Sequence, residues 1–428
     1  MGAREIAYSV LLRHRRGAGN ASELLNRAFL EEKPAASDRA LATELIYGCI
    51  RRRLTLEWLI REYSRFRLPA DVKVLLSLGL YQLLYLDRIP DYAAVNESVR
   101  MARAAGKKKW ASTVNAILRR VQDDRRNLSW PSREEGLKKH LEVRHSHPAW
   151  LVDILLKDFG PCSAEEILKE NNRRPPITIR CNTLKVRPEE LGVRLASEGI
   201  DAEPAGAGQI FFRIRSDIPV FEIAAFREGL FTVQDVSAGL AVEMLGPRPG
   251  ESILDLCAGP GGKTTHIAQL TRDRGEIVAI DISVDKVRMI EDSCRRLGIR
   301  SVRCVRGDGR EGGSLCGGRL FDRVLVDAPC SNTGVLRRRV EARWRMNPSR
   351  VKELSGLQLS LLKAASRCLK KGGYLVYSTC SILRDENDAV LGKFLAWCNA
   401  GLSHAVLKLQ GRHSGDGIYC ALMRRTGK

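Results

Sequence analysis

ESILDLCAGPGGKTTHIAQL (residues 251–270) runs from a short apolar stretch, through a glycine-rich turn, into a segment of helical character. Glycines let a backbone approach a ligand closely, and the helix N-terminus that follows favours electronegative groups. The turn reads GPGG rather than GxGxxG, and Lys263-Thr264 lacks the earlier glycine of a phosphate loop. Asp255 in the strand and Pro260 in the turn suit a pyrophosphate poorly. Outward from this stretch, EIVAIDI (276–282), SVRCVRGD (301–308), FDRVLVDAP (321–329) and GYLVYSTC (373–380) are further short apolar runs, with helix-like segments between them. Strands alternating with helices predict an α/β fold with a doubly wound parallel sheet. Such sheets bind ligands outside the carboxyl ends of their strands. The chemically capable residues fall at those ends: Asp255 and Cys257, Asp281, Asp308, Asp327 with Cys330, and Cys380.

Two ligands follow from that set. Asp281, closing its strand, suits both hydroxyls of a ribose, and Asp308 suits an adenine amino group. A nucleoside cofactor with little negative charge fits, and S-adenosyl-L-methionine is the candidate. The peptide DAPCSNTG (327–334) lacks the aromatic residue that grips an exocyclic amine, and it carries a thiol that amine methylation does not need. Carbon 5 of a pyrimidine is a poor nucleophile until a thiolate adds at C6. Two cysteines and a carboxylate at one crevice match that chemistry. One thiol would add to the base, Asp327 would hydrogen-bond N3, and the other thiol would help break the adduct down. The residues alone leave open which cysteine attacks. The base must be unstacked to be reached. The polar neighbours Ser331, Asn332, Ser378, Thr379 and Ser381 argue against inert packing for these two thiols.

The remaining chain is built differently. Up to about residue 125 the periodicity is helical, and Ser37 is a candidate cap for the segment SDRALATELIYGCIRRRLTLEWLIREY. Residues 126–145 are polar and read as a linker. Alternating helices and strands over roughly 145–225 predict a small α+β module. The expected division is an all-α module at 1–130, the small module at 145–228 and the α/β domain at 229–428. The net charge of +21, with a pI near 9.7, favours a polyanionic partner. RRR at 51–53, KKK at 107–109 and the five arginines around Trp344 in LRRRVEARWRM (336–346) read as a nucleic-acid footprint. No apolar run is long enough to span a bilayer, so the expectation is a cytoplasmic protein with no membrane partner. The twelve cysteines include no CxxC pair, which gives a metal site no support. Most of them sit among apolar neighbours, as small buried hydrophobes do.

CAGPGGK (257–263), VAIDIS (278–283), DAPCSNTG and YSTCS (377–381) closely resemble the motifs of bacterial 16S rRNA cytosine-C5 methyltransferases of the Sun/Fmu type, within the NOP2/Sun family. LYQLLYLDRIP, AVNESVRMA and VNAILRRV resemble the NusB antitermination factor. The resemblance implies a Rossmann-like class I methyltransferase domain, preceded by an all-α NusB-like RNA-binding domain and a small RNA-recognition-like (RRM-like) module. It makes Cys380 the nucleophile and Cys330 the residue that assists product release. Cys257, Ala258, Gly259, Pro260, Gly261, Gly262 and Lys263, with Asp281, Asp308 and Asp327, would hold S-adenosyl-L-methionine. The implied partner is small-subunit ribosomal RNA, before assembly. Gly259 stands where many relatives have alanine, an exchange the loop should tolerate. Val340 stands at a family proline, which implies altered substrate contacts there.

Two other classes compete. A non-catalytic RNA-binding or ribosome-assembly factor would keep the cofactor pocket as a relic, yet every expected cysteine and acid is intact. A NAD-dependent dehydrogenase would need GxGxxG and a hydride-transfer His or Lys near the crevice, and neither is there.

Overall fold

A computed structural model describes residues 1–134, 136–206, 209–216, 218–398, 402–409 and 416–426. The expected second and third modules, 145–228 and 229–428, each contain a few residues outside that set. The chain divides into two compact units, Met1–Arg173 with Arg339–Arg345, and Arg174–Arg338 with Met346–Lys428.

The first unit is helical. VKVLLSLGLYQLLY is apolar on every side because helix Ala70–Tyr85 is enclosed by its neighbours. Gly79 allows the closest approach: a Cβ there would stand 2.7 Å from both Leu118 and Ser98. Ser37 lies inside the first turn of helix Ala36–Arg51, whose N-cap is Ala35, so it is not the cap its position suggested. The polar stretch 126–145 is not simply a linker. It contains helix Leu137–His145, which hides its order by burying only Leu141, Val143 and His145. Helix Ala149–Glu170 breaks at Gly160, whose φ of +73° precedes Pro161.

Part of the arginine-rich stretch belongs to this unit as well, in a role opposite to the expected footprint. Arg343 is buried and donates to the carbonyls of Ser146 and Asn171 at 3.1 and 3.0 Å and to Asn172 Oδ1 at 2.9 Å. Trp344 Nε1 donates to the Ile50 carbonyl at 2.8 Å, and Val340 sits in the helical core. These groups brace helix ends rather than meeting a polyanion.

The second unit holds two sheets. The smaller contains β1 (Ile177–Cys181), β2 (Asp201–Ala205), β3 (Phe211–Arg215) and β4 (Phe231–Val233), all antiparallel in the order β2-β3-β1-β4. The larger contains β5 (Ser252–Leu256), β6 (Glu276–Asp281), β7 (Val302–Arg306), β8 (Phe321–Asp327), β9 (Leu369–Thr379), β10 (Leu402–Leu409) and β11 (Ile418–Arg425). Its order is β10-β11-β9-β8-β5-β6-β7, with β5 to β9 parallel and the last two strands antiparallel. The α/β doubly wound expectation is met, with an antiparallel edge added.

The central strands β5, β6 and β8 are buried on both faces, as strands of parallel sheets are, while the edge strand β7 is only partly buried. Leu254, Leu256, Val324 and Val326 pack with Leu361, Leu362 and Ala365 of helix Pro348–Arg367. Ile253, Ile277, Ala279 and Leu325 pack on the other face with helices Val236–Leu245, Gly262–Leu270 and Val284–Leu297. Strand order reverses between β5 and β8, so the crevice opens at their carboxyl ends. Among the described residues no helix is long and apolar enough to cross a membrane, and no group of three or more His, Cys, Asp or Glu could hold a metal ion.

Candidate active site

The turn after β5 is shaped by backbone. Cys257 has φ +61°, Gly261 has φ +101°, and helix Gly262–Leu270 begins directly afterwards. Gly259 N donates to Asp281 Oδ2 at 2.9 Å, and Ser283 N donates to Asp281 Oδ1 at 2.9 Å. Asp281, at the end of β6, is therefore buried with two amides on its carboxylate, one from each wall of the crevice. A Cβ on Gly259 would stand 2.7 Å from Asp281 Oδ2 and 2.4 Å from Lys286 Cβ. Alanine is not freely exchangeable here, contrary to the sequence expectation, because Lys286 occupies the space. Ala258, Pro260 and Gly262 complete the cradle. Arg180, buried on β1, braces it by donating to the Gly262 carbonyl at 2.9 Å and to Thr265 Oγ1 at 3.0 Å.

Asp255 lies under the turn. It accepts from Thr264 Oγ1 at 2.6 Å through Oδ2, while its buried Oδ1 has no hydrogen-bond partner. Burial pushes its carboxyl up to about 7. Asp308 is engaged elsewhere: Arg310 N donates to it at 2.9 Å and the Arg310 guanidinium pairs with it, holding the carboxyl below its ordinary range. Lys263 Nζ lies 2.6 Å from Asp327 Oδ2 at the end of β8. Burial pushes this ammonium down, but the Asp327 charge and hydrogen bond outweigh it, so the pKa is raised.

The two thiols meet. Ser378 of β9 pairs with Asp327 of β8, so the strands end side by side, and Cys330 Sγ lies 3.2 Å from Cys380 Sγ. Asn332 turns back with φ +59°, donates from Nδ2 to the Cys330 carbonyl at 2.9 Å and brings Oδ1 to 3.3 Å from Cys380 Sγ. The hydrogen bond to Cys380, then burial, raise the Cys330 pKa far above the usual thiol value. Cys330 therefore keeps its proton. Burial pushes the Cys257 and Cys294 thiols up to about 12 and Cys368 up to about 11.

A web of side chains ties the two thiol loops together. Ser331 Oγ lies 3.1 Å from Thr333 Oγ1, which lies 3.0 Å from Ser381 Oγ, and Gly334 N donates to the Cys380 carbonyl at 2.9 Å. Glu386 anchors the web. Its buried carboxylate accepts from Ser331 N at 2.8 Å and Ser331 Oγ at 2.5 Å, and from Gln358 Nε2 at 3.2 Å. Sequence reasoning missed Glu386, which sits in RDEND and reads as a surface acid. Arg337 and Arg338 were misread too: both pair with buried Asp416, and Arg338 also pairs with Asp235.

The crevice thus combines a glycine-rich turn beside a buried acid, an acid with an ammonium on it, and two apposed thiols. Family models match most of the chain. A 16S rRNA methyltransferase RsmB/F model matches residues 242–422, a NusB family model 1–123, and a methyltransferase RsmF/B-like ferredoxin-like domain model 147–220. The probable ribosomal RNA small subunit methyltransferase B of Bacillus subtilis is 34% identical over 92% of this chain and 88% of its own length. The ribosomal RNA small subunit methyltransferase B of Citrobacter koseri is 36% identical, over 92% of each chain. The solved structure of PH0851 superposes with a TM-score of 0.80 at 25% identity, covering 99% of both chains.

Proposed function

The chain belongs to the ribosomal RNA small subunit methyltransferase B family, and from that premise we propose that it methylates carbon 5 of a cytosine in 16S ribosomal RNA. It is a methyltransferase with a NusB domain, a ferredoxin-like domain and a methyltransferase domain. The reading assigns RNA binding to residues 1–130, an RRM-like role to 145–228 and catalysis to 229–428, in the cytoplasm.

The observation that carries the C5 assignment is the 3.2 Å approach of Cys330 Sγ to Cys380 Sγ beside Asp327. Amine methylation has no use for a thiol pair. Cys380, as thiolate, adds to C6; the C5–C6 double bond breaks and its electrons make C5 nucleophilic. Asp327, carrying a proton when the base is bound, donates a hydrogen bond to N3 and so steadies the negative charge that gathers there. When bound, S-adenosyl-L-methionine supplies an electrophilic methyl group on a sulfonium. The loop 257–263, Asp281 and Asp327 would hold it, and Asp308 would join once Arg310 lets go. Once Cys380 is bonded to C6, Cys330 gives up its proton to solvent. It then takes the C5 proton; the C5–H electrons re-form the double bond and expel Cys380 as thiolate. One proton is released overall.

The test is labelled methyl transfer to naked 16S RNA, with mapping of the modified base. Label is expected on carbon 5 of a cytosine. Cys380→Ser is expected to cost at least about a thousandfold in rate, because a neutral hydroxyl cannot make the adduct. Cys330→Ser is expected to leave protein covalently joined to RNA, seen as a shifted band on a denaturing gel. Near wild-type methylation by Cys380→Ser would overturn the mechanism.

A further inference from the structure

The helical unit contains a cavity of about 540 Å³ that takes no part in the chemistry above. It opens where helices Ala70–Tyr85, Leu137–His145 and Ala149–Glu170 end, with residues 125–130 along one side. Five of its lining residues are cations. Arg52 lies over the Tyr85 ring with its guanidinium carbon 4.7 Å from the centroid, and Arg144 lies over Trp130 at 4.5 Å. Neither arginine has an ion-pair partner among the described residues. Of the rim cations, Arg125 and Arg173 make only exposed pairs with Asp91 and Glu170, which hold them loosely, while Lys169 pairs at 2.9 Å with the half-buried Glu165. His145, buried in the lining, is pushed down to about 4 by burial and so adds hydrogen-bonding capacity without charge.

A guanidinium held over an aromatic ring has less freedom left to lose, and it can still donate to a phosphate. Cations gathered in a concavity, two of them without an ion-pair partner among the described residues, rather than on a convex face, do not match the backbone of a double helix. The volume suits a single small ligand or one extruded nucleotide. We propose that this pocket binds an unpaired nucleotide of single-stranded RNA, with its flanking phosphates held by Arg52 and Arg144. The choice of RNA over another polyanion rests on the function proposed above.

The test is a fluorescence anisotropy titration of the full-length protein with a labelled single-stranded oligoribonucleotide and with the same sequence annealed as a duplex. Two double variants are compared with the parent: Arg52→Ala with Arg144→Ala, and Arg125→Glu with Arg173→Glu, the second at exposed rim positions. Each is expected to weaken single-strand binding at least about tenfold, and the first to reduce the salt slope by about 1.4, the value for two phosphate contacts on a single strand. Duplex binding should change less. Unchanged affinity and slope in both variants, at unchanged melting temperature, would overturn the proposal. Equal loss on duplex and single strand would also overturn it, because it would indicate a general phosphate patch. If the first variant fails to fold, the rim variant alone decides. The titration reads neither donor binding nor methylation, so failure of the C5 assignment and failure of this pocket give different results.

Discussion

At one end of the crevice the fixing groups are main-chain. Gly259 N and Ser283 N hold Asp281, and the room for a ligand comes from missing side chains. At the other end they are side chains: Ser331, Thr333, Ser381 and Glu386 bind one another and carry Cys330 and Cys380 into contact. A cradle of amides tolerates most changes of side-chain type but not added volume. A web of hydroxyls around a buried carboxylate depends on each member, since removing one partner strands the others without water. On the proposed function, the methyl donor would be held by shape, and the nucleophile by a specific set of residues.

Several substitutions would break or sharpen that contrast. The largest expected effect is at the thiol end. Glu386→Gln replaces an acceptor facing Ser331 with a donor, and should lower kcat roughly 10- to 100-fold, the usual range for groups that orient a reactive ligand. Donor affinity measured by calorimetry should not move; a parallel loss of donor binding would mean that Glu386 supports the whole fold and not the thiol loop. Next comes Asp281→Asn at the glycine end. It leaves Gly259 N or Ser283 N facing a donor and should weaken S-adenosyl-L-methionine binding about tenfold. The rate at saturating donor should stay within a few-fold.

The smallest effect concerns pH. The folded Asp255 carboxyl titrates near 7, raised by burial above the unfolded value of about 3.9. The native state therefore holds a proton between about pH 4 and 7 that the unfolded chain has lost. Stability from this group is present below pH 4 and is lost as pH rises through 7. Asp255→Asn mimics the protonated form. Its melting temperature should match wild type near pH 4.5 and exceed it by a few degrees at pH 8, and a constant offset across that range would contradict the assignment.

The parallel sheet was legible in sequence because strands buried on both faces read as unbroken apolar runs, and each run ended in an acid or a thiol. Much of the site followed from that, since strand ends converge wherever the order reverses. What stayed hidden had no periodic signal. β2 reads DAEPA, with a proline and mostly exposed residues, and β4 has three residues. Glu386 looks solvated until the chain folds back and places Ser331 over it. Arginine was the hardest residue to read. Arg144 faces a cavity and Arg343 fills a core, and both stand in basic, aromatic-bearing stretches. Burial depends on whether carbonyls such as those of Ser146 and Asn171 happen to lie within reach, and composition carries no trace of that.

Arg339–Arg345 belongs to a compact body whose other residues are all among the first 173. During synthesis those residues emerge long before the piece that satisfies Ile50, Ser146 and Asn171. Domains usually finish folding as they leave the ribosome, in order from the N-terminus. This one waits with an unfilled seam until residues 339–345 have been translated, so its last backbone carbonyls are satisfied from a segment made well after the rest of the unit.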